Sequence, residues 1–260
     1  MIFTLLAYAL LLLTGWALAL APAWLPYLLA AYGGFFVIYF WCMLSPSSSA
    51  FGPVISQLPG VGKQVVYLTF DDGPHAVVTP AVLRLLRQKQ VPATFFVVGE
   101  KARALPEVVA QIHREGHVLA NHTDSHHHLL TLTPLSVIQR EIERCSGTIA
   151  ELTGKQPDCF RPCAGIKDRY IAAAARRAGL LLVNWNKRSL DTVCRSPRAM
   201  IRRMCAKPAN GDILLFHDRP TRCSLADKLA VLTAVIDCYR EQGFVFRGIK
   251  KRPAQDGPAG

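Results

Sequence analysis

No Asp, Glu, Lys or Arg occurs in the first 62 of the 260 residues. A stretch that long without charge cannot be the surface of an ordinary soluble domain, which needs ionised side chains to stay solvated. No Cys-x-x-Cys pair occurs among the eight cysteines, which argues against a zinc knuckle. No Gly-rich dinucleotide loop follows any strand-like run, no self-similar period marks a solenoid, and no recognised nucleic-acid motif is present. Seven cysteines lie beyond residue 44: Cys145, Cys159, Cys163, Cys194, Cys205, Cys223 and Cys238. An odd number leaves at least one thiol unpaired within a monomer. A chain of this size does not need a disulfide framework, so ordinary buried thiols in a reducing compartment are expected.

What is present begins with two uncharged apolar runs, Ile2 to Ala21 and Tyr27 to Leu44, separated by Pro22-Ala-Trp-Leu-Pro26. Each is long enough to cross a hydrocarbon core as a helix. Trp16, Trp24, Tyr39 and Trp41 sit near the run ends, where aromatic belts form. Two membrane helices over residues 1–44 are expected, in preference to a cleaved signal peptide or a monotopic hairpin, because no Lys or Arg precedes the first run. Such a chain is expected in a membrane, with membrane lipids as partners and the side of its folded part left open. Residues 45–62, rich in Ser, Gly and Pro, read as a linker. A single domain is expected over residues 63–250, with a tail at 251–260. All the charge, 30 basic against 18 acidic residues, lies from Lys63 onward. A net charge of +12 suits an anionic membrane surface or an anionic substrate.

From Val65 the sequence alternates short apolar runs with amphipathic stretches. Strands are expected over Val65–Phe70, Ala93–Val98, His117–Asn121, Cys159–Arg161, Leu180–Trp185, Ile213–Phe216 and Phe244–Phe246, with helices between them. That pattern predicts an α/β fold, a distorted (β/α) barrel of about seven parallel strands. Polar residues follow the strand ends. Asp71 and Asp72 follow the first, His122 the third, Arg161 ends the fourth, Asp191 comes after the fifth and His217 after the sixth. In a barrel those positions converge on one face. His122 and His126, four apart, share a face if the stretch is a helical turn, and with one carboxylate they make a three-donor set for a hydrolytic metal ion. Zinc suits this set first, with cobalt, manganese and iron open.

These residues carry a resemblance. Thr69-Phe-Asp-Asp-Gly-Pro74, Thr79-Pro80, Pro92-Ala-Thr-Phe-Phe96 and His122-Thr-x-x-His126 resemble the NodB-homology polysaccharide deacetylases, carbohydrate esterase family four, over about Val65 to Phe246. The resemblance implies a metal-dependent hydrolase acting on an N-acylated carbohydrate. By it, Asp72, His122 and His126 hold one divalent ion and Asp71 is the general base. Arg161, in Phe160-Arg161-Pro162-Cys-Ala-Gly165, holds Asp71, and the Ala164 N–H helps bind the oxyanion. His217, in Leu214-Leu-Phe-His217-Asp218, is the general acid, with Asp191 orienting it. An O-acetyl esterase and a catalytically silent glycan-binding protein are the alternatives.

The sequence departs from the family pattern in places. Cys163 and Ala164 stand where Pro and Tyr are usual. In Trp185-Asn-Lys-Arg188-Ser-Leu-Asp191-Thr192, Arg188 and Thr192 replace Asp and Trp. Trp185, Lys187 and Arg188 are therefore expected to bind substrate, and a Lys-Arg pair suits a phosphate, such as that of a lipid-linked sugar, better than a neutral glycan. No nucleic-acid partner is expected.

Overall fold

The computed structural model describes residues 2–20 and 22–251. Met1, Ala21 and residues 252–260, most of the expected tail, lie outside the described residues. Two helices come first, α1 (Ile2–Leu20) and α2 (Leu25–Leu44). The rest follows as β1 (Val65–Gly73), α3 (Val78–Lys89), β2 (Thr94–Val97), α4 (Gly99–Ala104), α5 (Pro106–Arg114), β3 (Val118–Asn121) and α6 (Leu135–Thr153). Then come β4 (Cys159–Phe160), α7 (Arg169–Arg177), β5 (Leu181–Leu182), β6 (Lys187–Arg188), α8 (Pro197–Met204), β7 (Asp212–His217), α9 (Leu225–Glu241) and β8 (Val245–Phe246).

The expectation of two membrane-crossing helices is corrected to one. Among the described residues only Leu25–Leu44 is long and apolar enough to span, with a mean hydropathy of 1.7. Its 20 residues reach about 30 Å, the thickness of a hydrocarbon core. Before it, the described residues of α1 give the shorter apolar helix Phe3–Ala17.

The strands form one curled half-barrel in the order β5-β4-β3-β2-β1-β7-β6, all neighbours parallel, with β8 paired to the start of β1. The central strand β1 is buried along its whole length, so it reads as a continuous apolar run rather than an alternating one. Its side chains still alternate. Val66, Leu68 and Phe70 pack under the helices with Phe95, Phe216 and Ile236. Val65 and Tyr67 join Phe96, Val183, Trp185 and Leu215 in a separate cluster. Thr69 and Asp71 continue the second series toward the C-terminal strand ends.

Two elements escaped the sequence reading. The strand expected over Leu180–Trp185 is only β5 on one flank of the half-barrel, and β6, on the other flank, follows it beyond the expected range. Between them Val183 and Asn184 donate to the carbonyls of Phe160 and Ile55. Asn186 then binds β7, accepting from Ile213 N at 2.8 Å and donating to Asp212 Oδ1 at 2.7 Å, which carries the chain across. Residues within the stretch read as a linker are also tied to the sheet. Ile55 pairs with Val183, Gln57 with Asp212, and Leu58 N donates to Gly211 O. All eight cysteines are free thiols.

Candidate metal centre and active site

Adjacent residues on a strand point to opposite faces, so Asp71 and Asp72 should not share a site. A register shift between Asp71 and Gly73 resolves this, with Asp72 in the left-handed region at φ 71°. The bulge re-aims Asp72 so that both carboxylates line the same cavity. Gly73 is required beside it, because a Cβ there would lie 2.1 Å from the Asp218 carboxylate.

The histidine segment is not the helical turn that the spacing suggested. It is a bent loop with positive φ at Thr123 (68°) and His126 (57°). Asn121 pins its start, donating to Ile142 O at 2.7 Å and accepting from Thr123 N at 2.8 Å. Thr123 Oγ1 accepts from His126 N at 3.1 Å. The loop still brings the two rings together. His122 Nε2 lies 3.2 Å and His126 Nε2 2.9 Å from Asp72 Oδ1.

The donor chemistry of this set fits a cation. His122 Nδ1 donates to Arg161 O at 2.7 Å, and a carbonyl only accepts, so in the neutral ring Nε2 is unprotonated. A bare Nε2 facing a carboxylate oxygen needs a proton or a metal ion between them, and the carbonyl is the kind of partner that fixes a ligating histidine. Asp72, His122 and His126 are therefore residues that would hold a divalent ion. Burial opposes ionisation of Asp72, but hydrogen bonds from His122 and His126 outweigh it and drive its pKa below the ordinary carboxylate value. Burial, helped by His122 and His128, pulls the His126 ring below the usual histidine value against the opposing pull of Asp72. At His122 burial is outweighed by Asp71 and Asp72, and the pKa rises.

Arg161 is fully buried, and each of its three guanidinium nitrogens has a partner. Its guanidinium donates to Asp71 Oδ1 at 2.6 Å, Thr69 Oγ1 at 2.9 Å, and the carbonyls of Val183 and Asn184 at 3.0 Å each, and lies 3.9 Å above the Phe96 ring. The other Asp71 oxygen is 4.0 Å from His122 Nε2. Opposite, His217 Nδ1 donates to Asp191 Oδ1 at 2.7 Å, and His217 Nε2 lies 4.0 Å from Asp72 Oδ2. Burial would raise the Asp191 pKa, but the His217 hydrogen bond reverses the sign and keeps it ionised. Ala164, at φ 53° on the rim, and Trp185 complete the wall of a cavity of about 180 Å³. Gly165 lets Trp185 in, since a Cβ there would meet the indole at 2.5 Å.

Of the three residues expected to bind substrate, Trp185 and Arg188 line the cavity and Lys187 does not. The Lys187 ammonium donates to Ala206 O and Lys207 O and sits 3.6 Å from Asp212 Oδ2. Neighbours on β6 face opposite ways, so only one of the pair reaches the site.

Two residues were missed. Arg219 Nε donates to Asp72 Oδ2 at 2.6 Å, leaving Oδ1 for the histidine side. Its position two residues past His217, at a strand's C-terminal end, was the available signal. Lys228 lies on the apolar stripe of α9 with Val231, Leu232 and Val235, a position where a lysine signals buried work. Its ammonium donates to His217 O at 2.6 Å and Arg219 O at 2.8 Å, 3.4 Å from Asp191 Oδ2. Burial pulls its pKa down while Asp191 and Asp218 hold it up. Lys228→Met leaves two carbonyls and part of Asp191 uncompensated. It is expected to cost about 3 kcal/mol, seen as a lower urea midpoint at unchanged slope. An unchanged midpoint would mean that water replaces the ammonium without loss.

Comparison with known proteins agrees with this geometry. Residues 59–183 match the family model described as polysaccharide deacetylase. A chitooligosaccharide deacetylase of Sinorhizobium fredii is 31% identical over 198 residues, 73% of this chain and 92% of that one. The chain belongs to the polysaccharide deacetylase family. A peptidoglycan-N-acetylglucosamine deacetylase of Bacillus cereus is also 31% identical, over 75% of this chain and 90% of its own length. The family 4 carbohydrate esterase of Streptomyces lividans, solved with acetate, superposes with a TM-score of 0.66 at 30% identity, over 72% and 93% of the two chains. As a polysaccharide deacetylase family member, the chain has the fold and hydrolase class that its motifs predicted.

Proposed function

We propose that this chain hydrolyses the N-acyl group, acetyl or formyl, from an amino sugar. The observation that carries the reading is the flanking of the Asp72, His122 and His126 set by a carboxylate on one side and a carboxylate-bound histidine on the other. Relatives named for chitooligosaccharide and peptidoglycan-N-acetylglucosamine deacetylation support the bond class. Bound to that set, a divalent ion, zinc in the first instance, supplies Lewis acidity that makes water nucleophilic near neutral pH. Asp71, one oxygen tied to Arg161, uses the other to take the proton of the attacking water. The Ala164 N–H donates to the developing oxyanion. His217, held by Asp191, gives its Nε2 proton to the departing nitrogen, without which an amine leaves poorly. Trp185 walls off the acyl group. Incubating the purified full chain with N-acetylated and O-acetylated sugars and measuring released acetate tests this. Release from the ester alone, or from neither, would defeat it.

We propose further that the substrate is membrane-bound and carries phosphate, and that residues 1–44 anchor the 63–250 catalytic part to a bacterial inner membrane. The end of α2 supports this. Met43 O accepts from Lys167 N at 3.2 Å, and Pro46 O accepts from Asn184, which also donates to Gly165 O behind the Trp185 wall. The apolar helix thus leaves the catalytic part close to the cavity, which confines enzyme and lipid-linked substrate to one surface. Exposed Arg188, 5.8 Å from the Trp185 ring centre, is a cation at the mouth. Arg188→Ala is expected to lower kcat/KM for a phosphate-bearing lipid-linked sugar about tenfold or more while sparing a neutral N-acetyl sugar, because a directed arginine–phosphate contact is worth about 1.5–3 kcal/mol. Equal losses on the two would remove phosphate recognition and leave the hydrolase reading intact.

A further inference from the structure

Two sets of metal-binding donors overlap at this site. The first is Asp72, His122 and His126. The second is Cys163, His126 and His128, whose donor atoms also lie within 4.8 Å of one another. Cys163 stands where the family pattern carries proline, so its sulfur serves no role carried over from the family. Its Sγ is 3.2 Å from His126 Nε2 and 3.1 Å from His128 Nδ1. Ligands on one tetrahedral zinc-sized ion, at about 2.3 Å for sulfur and 2.0 Å for nitrogen, sit about 3.5 Å apart, so small rotations seat all three. Cys163 is buried in the wall and His128 is exposed at the rim, which leaves the set open on the solvent side.

We propose that Cys163, His126 and His128 form a second cation site, selective for thiophilic ions, that competes with the hydrolytic ion for His126. One thiolate with two imidazoles is a soft donor set preferring cadmium, copper(I) or excess zinc, whereas a carboxylate with two imidazoles is harder. The competition follows from one atom. His126 Nε2 faces Asp72 Oδ1 at 2.9 Å and Cys163 Sγ at 3.2 Å, and one lone pair cannot serve two ions. Binding is an exchange. The thiol proton goes to solvent as the sulfur–metal bond forms, and no oxidant is involved. A thiophilic ion held there removes His126 from the first set and stops hydrolysis. The inhibition rests on the hydrolytic role proposed for His126, and the binding does not.

The purified, metal-free full chain is titrated with cadmium, following the near-ultraviolet thiolate-to-metal charge-transfer band. One equivalent is expected to produce the band. Cys163→Ser should abolish it, and His128→Asn, a change at an exposed side chain, should weaken cadmium binding about 10–100-fold. His122→Asn should leave the band intact while disabling hydrolysis. A band that survives Cys163→Ser belongs to another thiol and overturns the proposal. Loss of the band in His122→Asn would mean one composite site with Cys163 as a fourth ligand, which also overturns it. A cadmium band with no loss of activity in the wild-type chain would keep the site but sink the hydrolytic role of His126.

Discussion

Stripping divalent ions from the purified chain is expected to abolish acetate release, and adding back zinc or cobalt to restore it. Asp72, His122 and His126 gather their donors around one point, where a bound divalent ion would make water nucleophilic near neutral pH. A Lewis acid is worth several kcal/mol of barrier, and about 4 kcal/mol is a thousandfold in rate. Asp72→Asn should reproduce the loss without chelator, since an amide oxygen is a poor substitute for an anionic ligand. It also frees Arg219 from its carboxylate, so the metal content of the variant should be measured beside its rate. Full turnover by a preparation with no detectable metal would sink the hydrolytic reading of the whole constellation.

Asp71→Asn should lower turnover by roughly 10²–10⁴-fold while leaving bound metal nearly unchanged, the range a positioned general base contributes. Asparagine keeps an oxygen for the Arg161 hydrogen bond, so the fold should survive with reduced stability, because Arg161 then stays charged and buried with no anion beside it. A melting curve separates that cost from the catalytic one. His217→Ala should cost a similar factor in turnover. Asp191→Asn should be milder, because the His217 ring keeps a hydrogen-bond partner at Nδ1 and loses only its anionic character. Normal turnover by Asp71→Asn would assign proton abstraction to another group.

Much of this was legible in the sequence for a definite physical reason. Strands buried on both faces read as unbroken apolar runs, and a parallel α/β arrangement sends every strand end to one face. Asp71, His122, Arg161, Asp191 and His217 could therefore be gathered from five places in the chain before any coordinates. The remainder depended on geometry that letters do not carry. The two-residue strands β5 and β6 have no periodicity to detect. The bulge at Asp72 decides which way a carboxylate points, yet it leaves no mark beyond the glycine after it. Of the Lys187 and Arg188 pair only Arg188 reaches the cavity, and no strand was expected there whose alternation could have separated the two.

The pairing of residues 55–58 has a practical consequence. Among the described residues the two flanks of the half-barrel, β5 and β6, do not pair with each other, and Ile55 and Leu58 bond to Leu182 in β5 and to Gly211 just before β7. A soluble version cut at the first charged residue, Lys63, would discard those bonds and expose strand edges to neighbouring copies, an invitation to aggregate. A cut between the end of α2 and Pro53 keeps the seam closed, and is the better place to free the catalytic part from its helices.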